Sequence, residues 1–348
     1  MTRSISSGPT RPRRPHAWLI AMCSTVAACA LLAVGMLVAA PGAHSSGVRA
    51  TPSAAAIPAA GSRAADRSVG KAAQPAMGID TFVAPGGIGS VRDLPFAAAP
   101  DGSAVTLDVC TPVTRGTHRP AVLAIHGGGW IKGDKATAGN RAVCQWLASE
   151  GFVAFEADYT LGKQGMFPVQ PQELRKAISW IRQPATIARY GLDPKRVALF
   201  GGSAGGNLAA LLATEGTGPT DGGSRVAALV DLSGPVDLTA RGQTLGHPGA
   251  ALQAMELAYL GCATFTDCSR ATAASPIAHV DSTDPPTFIQ ASKNDFVPHE
   301  QGEAFASALT KAGVPAKLRL VPGDRHSIAL LDAPSRAAIA AFLHRYLG

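Results

Sequence analysis

Leu199-Phe200-Gly201-Gly202-Ser203-Ala204-Gly205-Gly206-Asn207 is the stretch whose reading decides the fold. It carries a G-x-S-x-G pattern directly after a strand-like apolar run, Val197–Phe200, and directly before a helix-like run, Gly206–Thr214. A chain with 38 glycines meets such a pattern by chance often enough that context must carry the argument. A serine raised on a sharp strand-to-helix turn has a strained backbone, and the adjoining helix passes close to it. Small neighbours are then required, and Gly201, Gly202, Gly205 and Gly206 supply them. The competing reading is a Gly-rich turn with an incidental serine.

Outward from this turn, short β-branched runs alternate with helical stretches. Strands are expected at Val105–Val109, Ala121–Ile125, Val153–Ala157, Val197–Phe200, Ala227–Leu232, Thr287–Ala291 and Lys317–Val321. Helices are expected at Ala138–Ser149, Pro171–Tyr190, Gly206–Thr214, Gly249–Leu260, Glu300–Ala312 and Ala333–Tyr346. Several strand runs are apolar on consecutive residues, which suits strands buried on both faces. The alternation predicts an α/β domain with a mostly parallel central sheet flanked by helices.

A second glycine cluster, His126-Gly127-Gly128-Gly129-Trp130, follows the run Ala121–Ile125. Acyl transfer builds negative charge on a carbonyl oxygen, and glycines let backbone N–H groups approach it. Gly128 and Gly129, with Ala204 after the serine, are the expected donors of an oxyanion hole. A phosphate-cradling loop is the alternative, but neither G-x-x-x-x-G-K-S/T nor G-x-G-x-x-G with its downstream acid is present. His126, on the strand side of the glycines, reads as structural.

A serine nucleophile needs a base, and the base an orienting carboxylate. Of nine histidines, His326 alone follows the last strand run, in Val321-Pro322-Gly323-Asp324-Arg325-His326. That is the sheet edge where parallel sheets bind ligands. Asp295 occupies the equivalent place one strand earlier, giving the chain order Ser203, Asp295, His326. Asp324 is the rival acid, since it lies two residues from His326, but closeness in sequence does not aim a carboxylate. Asp158, Asp231 and Asp237 read as loop-capping groups. No H-E-x-x-H or C-x-x-C occurs, and neither metal nor cofactor is assigned.

The formal charge of +7 does not describe the body of the chain. Residues 1–75 hold eight of the 31 Lys and Arg and one of the 24 acids, which leaves 23 of each sign beyond them. A neutral body excludes a basic nucleic-acid surface. Arg13-Arg14 followed by an uncharged apolar run, Ala17–Ala40, reads as an export signal or a retained membrane anchor over 1–43. Residues 44–77, rich in Ala, Gly, Ser and Pro, read as a linker, and 78–348 as the catalytic domain. The expected location is outside the cell, secreted or anchored, with the membrane touched only through the leader. Beyond the leader's Cys23 and Cys29, an oxidising compartment favours Cys262 with Cys268 and leaves Cys110 with Cys144; four buried thiols are the alternative.

With these residues in hand, the chain resembles the α/β-hydrolase superfamily, in its esterase/lipase group related to hormone-sensitive lipase and to the BD-FAE and acetyl-esterase branches. The blocks are His126–Trp130, Asp158-Tyr159, Gly201–Gly206 and Ala274-Ser275-Pro276 through Asp284-Pro285-Pro286-Thr287 into Asp295. The resemblance implies a serine carboxylic-ester hydrolase working through Ser203, His326, Asp295 and an acyl-enzyme. Its substrates would be short-chain or aryl esters, free or polymer-borne. Amide or peptide hydrolysis, arylformamidase- or dipeptidase-like, is the alternative, and a binding protein on the same scaffold a further one. Hormone-sensitive-lipase relatives carry an N-terminal helical cap. Here the cover is expected instead from Leu238–Ala274. Asp324-Arg325-His326-Ser327-Ile328 also departs from the His-Gly-Phe-like continuation of many relatives.

Overall fold

A computed structural model describes residues 78–114 and 116–348. The expected leader, 1–43, and linker, 44–77, lie outside the described residues. Among those described, no helix is long and apolar enough to cross a membrane.

Eight strands form one sheet in the order β1-β2-β4-β3-β5-β6-β7-β8. They are β1 (Gly89–Ala98), β2 (Ala104–Thr111), β3 (Arg119–Ile125), β4 (Val153–Ala157), β5 (Leu192–Gly202), β6 (Ala228–Leu232), β7 (Thr287–Ser292) and β8 (Ala316–Val321). The β1–β2 and β2–β4 pairs are antiparallel; the pairs from β4–β3 through β7–β8 are parallel. Among the described residues there are seven α-helices, α1 (Ala138–Ser149), α2 (Val169–Ile181), α3 (Pro184–Tyr190), α4 (Ala204–Thr214), α5 (Ala250–Leu260), α6 (His299–Lys311) and α7 (Ala333–Leu347), and all but α5 flank the sheet. This is the α/β-hydrolase fold expected from the sequence.

Successive residues of the central strands enter opposite cores. Leu123 of β3 and Leu199 of β5 face Leu174 of α2, Leu208 of α4 and Phe305 of α6, whereas Val122 and Phe200 face Trp146 of α1 and Phe342 of α7. Two-sided burial is why these runs carry no polar alternation.

Two elements differ from expectation. The helix read over Pro171–Tyr190 is two, because Pro184 offers no N–H and the residue before it, Gln183, is extended at φ −66°, ψ 140°. The edge strand β1 was not expected at all. Its residues are at most half-buried, and register shifts after Val91 and after Pro95 break its period.

The cover falls where expected. The Leu238 N–H donates to Ser275 Oγ at 2.8 Å, so the two ends of the segment meet. Gln301 Oε1 braces that neck by accepting the N–H groups of Val236 and Asp237, each at 3.0 Å. Inside the segment lie α5 and the Cys262–Cys268 disulfide. The other disulfide joins Cys110 of β2 to Cys144 of α1, the expected pairing.

Candidate active site

The sheet's order reverses at β3, with β4 on one side and β5 on the other, and a crevice opens at the carboxyl ends of the strands there. A cavity of about 470 Å³ occupies it. Ser203, between β5 and α4, lines this cavity with φ 58° and ψ −126°, a conformation that a non-glycine residue holds only when its surroundings force it. The forcing contact is visible: Ser203 N–H donates to Leu232 O at 2.8 Å, tying the turn to β6. A Cβ at Gly205 would meet the Ile125 and His126 carbonyls, so α4 reaches β3 only because residue 205 has none.

His326 lines the same cavity from the loop after β8. Its Nδ1 lies 2.8 and 3.0 Å from the two carboxylate oxygens of Asp295, whose side chain is wholly buried in the loop after β7. Asp295 Oδ1 also accepts the Val297 N–H at 3.2 Å, which fixes the carboxylate. Asp324 is exposed. The structure therefore brings together Ser203, His326 and Asp295 and leaves Asp324 out. No hydrogen bond joins Ser203 to the ring.

Gly128, Gly129 and Ala204 line the same cavity. Gly128, at φ 130°, turns its carbonyl back to accept the Lys132 N–H at 3.1 Å, and a Cβ there would strike the Lys132 carbonyl. Trp130 anchors the loop by stacking on Tyr259, 4.6 Å away and 5° from parallel, a contact worth about 1 kcal/mol beyond its burial. The cover contributes Leu252 and Met255 to the cavity wall.

The loop is held by His126, which the sequence marks as structural, by Asp158, read there as a loop cap, and by Tyr159 and Lys135, to which the sequence assigns no role. His126 Nδ1 lies 2.8 Å from the Gly127 carbonyl, and its ring stacks on Tyr159 at 4.4 Å. Burial lowers the His126 pKa and keeps the ring neutral. Asp158 holds both ends of the loop: its Oδ1 accepts the Lys135 N–H at 2.8 Å and lies 3.6 Å from His126 Nε2. The buried Lys135 ammonium sits 2.7 Å from Asp93, 3.3 Å from Asp158 and 3.4 Å from Asp108. Burial pulls that ammonium toward neutrality, but the hydrogen bond with Asp93 and the charges of Asp158 and Asp108 outweigh it and raise the pKa. Asp93 reaches this position through a positive φ, 56°, at the β1 bulge. The only sequence signal was a lysine just past the glycine loop; its partners come from three separate strands and their ends.

Residues 107–309, more than half of the chain, match the BD-FAE family. The chain belongs to that family. The matched stretch includes Ser203 and Asp295 and ends before His326, so the place of the imidazole comes from the fold. Among curated relatives, the chain is 28% identical over 66% of its length to the probable carboxylic ester hydrolase LipM of Mycobacterium tuberculosis. It is 27% identical over 74% of its length to the esterase LipQ of the same organism. It spans 54% and 61% of those two proteins. Among solved structures, the butyrate-bound esterase Est2 of Thermogutta terrifontis superposes with a TM-score of 0.60, 26% identity, and coverage of 74% of this chain and 94% of Est2.

Proposed function

We propose that this BD-FAE member is an exported serine carboxylic-ester hydrolase acting on short-chain or aryl esters. The observation that carries the reading is a serine on a strained turn sharing one cavity with an imidazole that a buried carboxylate holds. In this mechanism Ser203 Oγ attacks the ester carbonyl while His326 Nε2 takes its proton and Asp295 stabilises the imidazolium. The developing oxyanion is met by the N–H groups of Gly128, Gly129 and Ala204. Because a trans peptide points its C=O and N–H in opposite directions, the His126 contact on the Gly127 carbonyl turns the Gly128 N–H away from His126. His326 then protonates the leaving alcohol, and water repeats the cycle on the acyl-enzyme.

The relatives' names favour ester substrates, and the cavity's size and Est2's bound butyrate favour a short acyl group. Export is favoured by the leader-like sequence and by two disulfides, which persist in oxidising compartments. The test is labelling of the full chain by a fluorophosphonate, with hydrolysis of p-nitrophenyl acetate, butyrate and palmitate on the same samples. Ser203→Ala should abolish both readouts. Asp295→Asn should cost on the order of 10⁴ in kcat while Asp324→Asn stays near wild type. Labelling that survives in Ser203→Ala, or equal losses in the two aspartate variants, would overturn the assignment.

A further inference from the structure

Phe296 is out of place by burial alone. It follows Asp295 directly, and the Val297 N–H bonded to Asp295 Oδ1 fixes the backbone there, with Val297 itself buried. Yet Phe296 is 52% exposed, one of four large apolar residues left exposed among the described residues, with Val83, Val113 and Ile131. Of these four, Phe296 is the one that lines the cavity. Its ring centroid lies 4.3 Å from that of His326, with the planes 50° apart. Ile328, two residues past His326, lines the same cavity and is packed into the core beneath.

The chemistry of the step fixes which part of an ester meets these side chains. In acylation the bond between the acyl carbon and the alcohol oxygen breaks as Ser203 Oγ bonds to that carbon. The proton taken from Ser203 passes through His326 to the departing alcohol oxygen. That oxygen must therefore come within hydrogen-bond reach of the imidazole, and the group it carries lies on the imidazole side of the site. The carbonyl oxygen is committed to Gly128, Gly129 and Ala204, which leaves the acyl chain to the rest of the lining, including Leu252 and Met255 of the cover.

We infer that Phe296, with Ile328, forms the alcohol side of this site and selects esters of aryl or similarly flat, apolar alcohols. The inference rests on the ester-hydrolase reading and narrows its substrate class to the alcohol half of the ester, with the residues that select it. A half-exposed aromatic edge beside the base gains an offset or tilted stacking partner when an aryl group enters, and gains little from a small alkyl alcohol.

The experiment compares the full-length wild type with Phe296→Ala and Phe296→Tyr on phenyl acetate and ethyl acetate. Being half-exposed, Phe296 can be truncated without opening the core. The intrinsic reactivity of each leaving group cancels when the phenyl-to-ethyl ratio of kcat/KM is compared between proteins. That ratio should fall about three- to ten-fold in Phe296→Ala, the scale of one aromatic contact, and be kept by Phe296→Tyr. Deacylation is measured on the same proteins as decay of the acetyl-enzyme in single turnover. The alcohol has left by then, so the loss should fall on acylation only. A uniform loss on both esters with slowed deacylation would mean that Phe296 acts by holding His326, and would overturn the inference. An unaltered ratio would overturn it as well. A wild-type protein that hydrolyses neither ester would instead refute the ester-hydrolase reading, and this inference with it.

Discussion

The two disulfides close loops of very different length, which makes their contributions separable. Cys110 and Cys144 are 34 residues apart, and Cys262 and Cys268 six apart. If a cross-link acts mainly by limiting the unfolded chain, its contribution rises with the logarithm of the loop. These separations give about 4 kcal/mol for the first and about 2 kcal/mol for the second. Burial works in the same direction, since Cys110 and Cys144 belong to the core under α1 and α7, whereas Cys262 is only partly buried in the cover. A domain is stable by about 5–15 kcal/mol in total, so the first loss is a large fraction of it. The assay is equilibrium unfolding in urea of Cys110→Ala/Cys144→Ala and Cys262→Ala/Cys268→Ala against wild type. The first variant should show the lower midpoint and the larger rise in m, because its unfolded chain gains the more freedom to expand. An equal or greater loss in the second variant would refute the loop-entropy reasoning. Free thiols at these four positions in the unfolded, unreduced chain would refute the bridges themselves.

Two other outcomes follow from buried charge. Burial pushes the Asp231 pKa up to about 7, against the pull of its hydrogen bond from the Gly234 N–H, so the folded state keeps a proton that the unfolded state releases near pH 4. Folding stability should then fall as pH rises from about 4 to about 7 and level off above. Asp231→Asn lacks this dependence, and its urea midpoint should gain on wild type between pH 4.5 and 7.5; parallel curves would count against it. Lys135→Met leaves buried Asp108 and partly exposed Asp158 without their cation, which should cost roughly 3–5 kcal/mol and lower ester turnover as the glycine loop loosens. A thermal unfolding midpoint within a degree or two of wild type would show that the cluster holds nothing.

Sequence reading succeeds here where one physical cause dominates. β3, β4 and β5 were legible because burial on both faces demands unbroken apolar runs. The turn at Ser203 was legible because only small residues fit where α4 crosses β3. β1 was not, since a half-exposed edge strand containing Asp93 and Pro95 need obey no period. The choice of Asp295 over Asp324 rested on an argument from topology. Its distance from His326 depends on the packing of two loops 31 residues apart, which sequence does not contain. The same holds for Lys135, whose three carboxylate partners come from β1, β2 and the end of β4, and for Phe296, which reads as one more core aromatic until its exposure is seen.

The neck where the Leu238 N–H meets Ser275 Oγ makes the cover an exchangeable cassette. Both its ends are fixed to the scaffold at one point, and the cost of closing a flexible loop grows slowly, about 0.6 kcal/mol for each doubling of length. Insertions, deletions or wholesale grafts between these ends can therefore reshape the part of the cavity wall formed by Leu252 and Met255 while the loops bearing Asp295 and His326 stay in register. Divergence of acyl preference would then require changes to one contiguous stretch of gene, which makes 238–274 the segment to shuffle in directed evolution.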